Sequence, residues 1–350
     1  MLDKATEIRK GEELDIAVLK EYLTANLPGF SGEIEVSQFP SGFSNLTYLL
    51  KSGAKEYVLR RPPFGANIKG GHDMNREYRV LSALQGFYAQ APKPLLYSND
   101  ESVMGAEFYV MERVKGVILR GRQPKNLTLT SDLMRAVSEA CVVHLADLHL
   151  MDLDKAGLAD FGKPEGYTER QVTGWIKRYY NSQTDDLPAM AEVADWLSKN
   201  IPEQKYVSFI HNDYKYDNLV LNPEKLDEII AVLDWEMSTV GNPLMDLGTS
   251  LAYWAQPDDS DALKAFSLTW LPGNLNRSEF VNHYEEKTGF DLKNQVFYYA
   301  FGAFKIGVII QQIYARYKKG LTKDPRFANL IYSVKACGAN ASRAIEKDKI

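Results

Sequence analysis

Residues 211–218 read HNDYKYDN, and the chain reads VLDWE at 232–236. The apolar run KYVSFI (205–210) predicts a buried strand that ends where the polar stretch begins. Two further β-type runs, LVLN (219–222) and IIAVLDW (229–235), are separated by the turn-rich segment PEKLDE. The pattern therefore predicts an antiparallel hairpin directly after the polar stretch.

Hairpin geometry brings two oxygen-bearing side chains of this region together. In an antiparallel hairpin the start of the first strand faces the end of the second, so Asn218 is expected opposite Asp234. An amide oxygen and a carboxylate are hard ligands of the kind that Mg²⁺ selects. Asp213 lies on the loop before the hairpin, within reach of a group bound beside the metal. Because Asp and Asn populate turns generally, each residue alone also fits a purely structural role.

A mononuclear metal hydrolase is an alternative reading of the same stretch. It would use His211, Asp213 and Asp234 as ligands, but the other histidines (72, 144, 149 and 283) form no ligand pattern with them. A histidine beside a strand end is also a common structural hydrogen-bonding residue.

Composition narrows the class of protein. The 350 residues are 45% apolar and 25% charged, with a net charge of −5 and no basic stripe, so we expect no nucleic-acid partner. Cys141 and Cys337 suit reduced core thiols. The N-terminus has no apolar signal-peptide region, and the apolar run at 298–310 is short and carries Lys305. From these features we expect that the chain does not span a membrane and that it is located in the cytoplasm.

The order of predicted elements indicates an α+β fold. Short β-type runs at 33–39, 45–50 and 56–61 are followed by a helix at 72–87 and by strands near 94–98 and 106–112. Helical periodicity then dominates, with strand-like segments only around 203–236. We predict a small antiparallel β-rich N-lobe with one inserted helix at 1–113, a larger mainly helical C-lobe at 114–350, and a cleft between them.

The motifs together resemble the aminoglycoside phosphotransferase family of the protein-kinase-like superfamily. HNDYKYDN resembles its H-x-D-x-x-x-x-N loop, and VLDWE resembles its metal-binding segment. The chain is most similar to the subgroup related to the domain fused to acyl-CoA dehydrogenases, through SGFSNLTYLL, YVLRRPP, REYRVLSAL, FYVMERVKG and DWEMSTVGNPLMDLG. The resemblance extends over about residues 30 to 345.

This resemblance implies a kinase that moves the γ-phosphate of ATP, or alternatively GTP, to a hydroxyl of a small acceptor. Asp213 matches the catalytic Asp that orients the acceptor hydroxyl, and Asn218 and Asp234 match the Mg²⁺ ligands. Positioning and charge stabilisation dominate such transfers because their transition states are loose. His211 and Asp246 are expected to support the loop structurally.

The nucleotide would contact the predicted N-lobe. PSGFSN (40–45) takes the place of the kinase Gly-rich loop and suggests phosphate contacts from Ser41, Gly42, Ser44 and Asn45. The strand that carries a phosphate-anchoring Lys in protein kinases reads YVLRR here. Alternation favours Arg60 as the anchor, and the resemblance implies Glu77 as its ion-pair partner. The hinge-like YVMERVKG would line the nucleotide site with Met111, Glu112 and Val114.

The acceptor is the part that the sequence defines least. Candidate acceptor-binding residues are Arg170, Trp175, Arg178, Tyr179, Lys305 and Arg316. Their positive charges favour an anionic acceptor, and the resemblance to dehydrogenase-fused members suggests a hydroxy acid or a hydroxyacyl-CoA. An aminoglycoside and other alcohols remain alternatives. A catalytically silent nucleotide-binding module is a further alternative, because the phosphate-anchor position departs from the kinase pattern.

Overall fold

The computed structural model describes residues 4–40, 45–65, 73–322 and 324–350. The chain forms two compact units, each of which is described by itself. Unit 1 comprises residues 1–117, 220–224 and 230–236, and unit 2 comprises 118–219, 225–229 and 237–350. The sequence interpretation treats each lobe as one continuous segment, whereas two short later segments, one of them containing Asp234, belong to unit 1.

A five-stranded antiparallel sheet forms most of unit 1, in the order β1-β2-β3-β5-β4. Its strands are β1 (Glu35–Gln38), β2 (Leu46–Ser52), β3 (Lys55–Arg61), β4 (Pro94–Ser98) and β5 (Phe108–Glu112). Its helices are α1 (Ile16–Asn26), α2 (Met74–Leu84) and α3 (Glu101–Met104). The predicted sheet with a helix inserted after the third strand is therefore confirmed.

The two faces of this sheet have different environments. Leu59 on β3 and Val110 on β5 belong to an apolar core that also contains Leu19 and Leu23 of α1. Successive strand residues point to opposite faces, so Val58 and Arg60 lie on the face away from that core. This alternation is what sends one arginine of the Arg60-Arg61 pair toward the candidate site.

Unit 2 is mainly helical. Its helices are α4 (Ser131–His149), α5 (Tyr167–Ser182), α6 (Pro188–Lys199), α7 (Pro243–Tyr253), α8 (Asp261–Lys264), α9 (Arg277–Thr288), α10 (Gln295–Lys318) and α11 (Leu330–Lys347). Strand β6 (Ser208–Ile210) pairs with β9 (Thr239–Gly241) in this unit. Strands β7 (Leu219–Leu221) and β8 (Ile229–Val232) pair with each other and lie mostly in the two later segments of unit 1. The predicted α+β class is confirmed, as is the hairpin formed by β7 and β8.

Helix α10 is the apolar centre of unit 2. It is the one helix of the described ranges that is long and apolar enough to cross a membrane, but 83% of its most apolar window is buried within the protein. It crosses α7 at two glycines. A Cβ atom on Gly302 would lie 2.1 Å from the carbonyl oxygen of Gly248, so only glycine permits this approach. The close crossing brings polar residues of both helices to the loop after β6.

Candidate active site

The loop after β6 holds Asp213 in a network of charged hydrogen bonds. The Lys215 ammonium donates to both carboxylate oxygens of Asp213, at 2.9 Å to Oδ1 and 2.8 Å to Oδ2. Asn218 Nδ2 donates to Asp213 Oδ2 at 3.0 Å and to its backbone carbonyl at 2.8 Å. The structure thus brings Asp213 and Asn218 together, and it leaves the Asn218 side-chain oxygen as the atom that can face a cation.

Asp246 on α7 holds the backbone that leads into Asp213. Its carboxylate accepts the backbone N–H groups of His211 and Asn212, at 2.7 and 2.8 Å, and lies 3.2 Å from Nε2 of His149. Burial alone would raise the pKa of Asp246, but the hydrogen bond from His149 and the nearby histidine charges lower it below its ordinary value. His211 is fully buried, and its Nδ1 accepts the Asp213 N–H at 3.2 Å. These contacts fix the loop from both sides.

Two residues near Asp213, Lys215 and Tyr253, were not among the predicted site residues. Lys215 lies with its ammonium 4.5 Å from the ring centre of Tyr253. Burial lowers the pKa of Lys215, but Tyr253 and Asp213 outweigh that effect and raise it above its ordinary value. Lys215 follows Asp213 by two residues and has extended backbone angles. The i, i+2 spacing is the sequence signal that would have placed the two side chains on one side of the chain.

Arg60 is the centre of the corresponding cluster in unit 1. Its Nη1 donates to Glu77 Oε1 at 2.6 Å, the ion pair expected from the sequence, and the two side chains are only 9% and 1% exposed. Its Nη2 lies 3.2 Å from Asp234 Oδ1 and 3.6 Å from Glu236 Oε2. Although burial favours a lower pKa, Glu77 raises the pKa of Arg60 above its ordinary value. Arg61 donates instead to two backbone carbonyls.

Asp234 has an unusual backbone conformation. Its φ is 68°, in the left-handed region that few residues other than glycine adopt. Trp235 follows it, is 2% exposed, and donates from Nε1 to the Val232 carbonyl at 2.8 Å, while its ring packs edge-on against Tyr88. The buried tryptophan anchors the turn and leaves the Asp234 side chain 36% exposed. Strained backbone of this kind is concentrated at functional sites.

Glu236 connects this cluster to the predicted phosphate loop. Asn45 is 2% exposed, and its Nδ2 donates to Glu236 Oε2 at 2.7 Å. The other residues proposed for that loop, Ser41, Gly42 and Ser44, lie outside the described residues. The sequence interpretation did not include Glu236, although it is the last residue of the VLDWE segment.

Strand β5 places two side chains on the same face as Arg60. The register pairs Arg60 with Tyr109 and Val58 with Met111, so Tyr109 and Met111 share that face. Tyr109 is fully buried, and burial together with Glu77 raises the pKa of its hydroxyl.

The predicted hinge begins at the end of β5. The Glu112 N–H already donates to the Lys93 carbonyl at 2.9 Å, and the Val114 carbonyl accepts Arg113 Nη1 at 3.0 Å. Among the described residues the Val114 N–H has no hydrogen-bond partner, so it is the hinge donor open to a ligand.

Three of the candidate acceptor-binding residues meet at one indole ring. Trp175 on α5 is 6% exposed, the Arg178 guanidinium lies 4.5 Å from its ring centre, and the Lys305 ammonium lies 5.9 Å from it. Arg178 is exposed, whereas Lys305 is buried and donates to the Asn212 carbonyl at 2.9 Å. Through Lys305, this group of side chains therefore contacts Asn212, the residue before Asp213.

The other three candidates lie elsewhere in unit 2. Arg170 turns back and donates to the carbonyls of Lys163 and Glu165. Tyr179 is fully buried with its ring 5.7 Å from that of Phe304, so it belongs to the contact between α5 and α10. Arg316 is exposed in the last turn of α10.

The described residues do not support the metal-hydrolase alternative. Within 4–40, 45–65, 73–322 and 324–350 there is no group of three or more His, Cys, Asp and Glu side chains suited to hold a metal ion. The His211 Nδ1 atom, moreover, already accepts the N–H of Asp213.

Solved structures of phosphotransferases have a fold similar to that of this chain. A crystal structure from Ralstonia eutropha, provisionally named an aminoglycoside phosphotransferase, is 30% identical with a TM-score of 0.80, covering 95% of this chain and 99% of that one. Choline kinase from Cryptosporidium parvum shares the fold at 15% identity, with a TM-score of 0.64 over 95% and 97% of the two chains. The kinase-like architecture expected from the sequence is therefore confirmed.

Comparison with curated sequences gives longer relatives. Acyl-CoA dehydrogenase family member 11 from chicken is 34% identical over 99% of this chain, and the human protein is 34% identical over 96%. The chain spans less than half of their lengths, 46% and 44% respectively. The model of the phosphotransferase enzyme family (APH) matches residues 35–280. By this match and by its likeness to these relatives, the chain belongs to the APH phosphotransferase enzyme family.

Proposed function

We propose that this chain is a small-molecule kinase that transfers the γ-phosphate of ATP, with Mg²⁺, to the hydroxyl of an anionic acceptor such as a hydroxy acid or a hydroxyacyl-CoA. The observation that carries the proposal is the Asp213 carboxylate, which Lys215 and Asn218 hold by hydrogen bonds at the end of a buried strand. Family membership supports phosphoryl transfer as the type of reaction.

Each unit contributes a different part of the proposed chemistry. In unit 2 the Asp213 carboxylate accepts a hydrogen bond from the acceptor hydroxyl, orients it, and takes its proton as the phosphoryl group is transferred. In unit 1 the Arg60 guanidinium offsets the negative charge of the nucleotide phosphates. The ion pair with Glu77 holds the guanidinium in place for this role. Lys215 supplies a second positive charge beside the transfer.

The two proposed Mg²⁺ ligands have suitable chemistry. Asp234 of unit 1 offers a partly exposed carboxylate, and Asn218 of unit 2 offers an amide oxygen; each is a hard donor of the kind that Mg²⁺ prefers. Such sites use one or two protein oxygens and take their other ligands from phosphates and water, so no dedicated protein cage is required. When bound, the ion would neutralise phosphate charge.

The charges around Trp175 support an anionic acceptor. Arg178 and Lys305 both approach its ring, and Lys305 also contacts the backbone that precedes Asp213. A polycationic aminoglycoside would meet repulsion from these two groups. The chain spans less than half of relatives that are named acyl-CoA dehydrogenase family member 11, which is consistent with an acyl-chain acceptor.

The proposal can be tested by measuring ATP turnover with the purified chain. Hydroxy acids, hydroxyacyl-CoAs, aminoglycosides and choline would be supplied with Mg-ATP or Mg-GTP, and the phosphorylated products identified by mass spectrometry. Asp213→Asn should reduce turnover by at least about 100-fold, because the oriented carboxylate acts in the transition state. Asp227→Asn, at an exposed position in the turn between β7 and β8, is the matched control and should turn over normally.

Two other outcomes would contradict the proposal. Mg-ATP binding detected by thermal shift, without product from any acceptor or from water, would favour the silent nucleotide-binding module. Phosphorylation of an aminoglycoside but not of the carboxylate-bearing acceptors would retain the reaction type and reject the acceptor class.

A further inference from the structure

Lys305 is a charged residue in the most apolar helix of the protein. It is 2% exposed, and its neighbours Phe304 and Ile306 on α10 are also buried. Within the part of the chain that the structure describes, no carboxylate lies within 4.0 Å of its ammonium group. Burying an ammonium without a direct counter-ion is unfavourable. Because burial of the Lys305 ammonium lowers stability, its presence here indicates a functional role.

The partner of this ammonium is the backbone of Asn212. Lys305 Nζ donates to the Asn212 carbonyl oxygen at 2.9 Å and lies 3.4 Å from its side-chain oxygen. That carbonyl belongs to the peptide group that joins Asn212 to Asp213. Any rotation of this peptide group would redirect the Asp213 side chain.

Asn212 needs such restraint because its backbone is strained. Its φ is 68°, and a non-glycine residue in that region is disfavoured by about 1 kcal/mol or more. Its N–H is bound by Asp246, its amide nitrogen donates to the Met237 carbonyl at 3.1 Å, and its side chain contacts the Tyr167 hydroxyl. The carbonyl oxygen is the remaining polar atom of Asn212, and Lys305 is its partner.

We propose that Lys305 is a positioning residue, which holds the strained Asn212–Asp213 peptide and thereby aims the Asp213 carboxylate at the acceptor hydroxyl. This inference rests on the proposed function and changes the role expected from the sequence, in which Lys305 binds the acceptor. Displacing a reacting group by about 1 Å can reduce a rate by about 100-fold, so an effect of that size is expected when the contact is lost.

The protonation state of Lys305 gives a second readout. Burial lowers its pKa from 10.5 to about 8. The charged groups that face it are Asp246 on α7, Asp213 and Lys215 after β6, and Arg178 on α5. Loss of the proton weakens the bond to the Asn212 carbonyl, because a charged donor binds more strongly than a neutral one. Turnover by the wild-type protein should therefore fall as pH rises through about 8.

The test compares Lys305→Met with Gln311→Met. Gln311 lies on the same helix, is fully buried, and also donates to a backbone carbonyl, that of Ser182, so it is a matched control away from Asn212. Hydrolysis of Mg-ATP by water serves as the assay, since it needs no known acceptor. Hydrogen–deuterium exchange of residues 211–216 reports the position of the loop independently of activity.

We expect Lys305→Met to lower ATP turnover by about 100-fold with an unchanged KM for ATP. We also expect faster exchange at 211–216, loss of the alkaline limb of the pH profile, and no such changes in Gln311→Met. Wild-type turnover and wild-type exchange in Lys305→Met would overturn the inference, as would an equal loss in Gln311→Met. If the wild-type protein turns over ATP neither with water nor with any acceptor of the panel, the proposed function fails, whereas the exchange measurement still decides whether Lys305 holds the loop.

Discussion

Removing the charge of Glu77 should destabilise unit 1 substantially. Glu77→Gln keeps the volume of the side chain but leaves the buried Arg60 guanidinium without the carboxylate that lies 2.6 Å away. Breaking a buried ion pair by removing one partner costs about 3–5 kcal/mol. Asp234 at 3.2 Å and Glu236 at 3.6 Å would still offset part of the positive charge of Arg60. We therefore expect a loss near the lower end, about 3 kcal/mol of unfolding free energy.

Urea denaturation followed by circular dichroism measures this loss. Glu33→Gln is the matched control in the same unit, because Glu33 pairs with Lys20 at the surface and its side chain is 90% exposed. Surface pairs of this kind contribute little to stability, so its denaturation midpoint should not change. A loss below about 1 kcal/mol in Glu77→Gln, or an equal loss in the control, would refute the idea that the buried pair holds Arg60.

Three further predictions concern unit 2. Gly302→Ala places a Cβ atom against the Gly248 carbonyl where α7 and α10 cross, so urea denaturation should show a loss of about 2 kcal/mol. Asp246→Asn weakens the acceptor of two loop N–H groups, so we expect lower ATP turnover and faster hydrogen exchange at 211–216 with the far-ultraviolet circular dichroism spectrum retained. Because the pKa of Lys305 is about 8 when folded and 10.5 when unfolded, the unfolded chain binds more protons between these pH values. The unfolding free energy of the wild-type protein, measured relative to that of Lys305→Met, should therefore increase by about 3 kcal/mol as pH rises from about 8 to 10.5. A difference that stays constant over this pH range would contradict the lowered pKa of Lys305.

Local patterns were sufficient for much of the candidate site. The alternation of β3 separated Arg60 from Arg61, and the structure places Arg60 beside Glu77, the partner that the family resemblance implied. Turn-rich residues between two apolar runs predicted the hairpin of β7 and β8. Strand period and turn chemistry act over a few residues, so a single sequence carries them directly.

Helix periodicity was a weaker guide to the acceptor candidates. Trp175 and Tyr179 are four residues apart on α5 and therefore share a face. The pattern identifies such a face but does not show whether it packs on another helix or borders a ligand site. The ring of Phe304 on α10 packs edge-on against Tyr179, while Arg178 and Lys305 both approach the ring of Trp175. The packing of α10 decided between these outcomes.

The sequence by itself determined the family, the order of elements and the identity of the polar loop, because motif order and local periodicity are written along the chain. Only the tertiary structure showed that Asp246 holds the N–H groups before Asp213 and that Lys305 holds the carbonyl of the same segment. Lys305 and Asn212 are 93 residues apart, and their contact exists because two glycines let α7 and α10 pack closely around the loop. Such contacts depend on how distant helices pack, and a local pattern in one sequence contains no record of that packing.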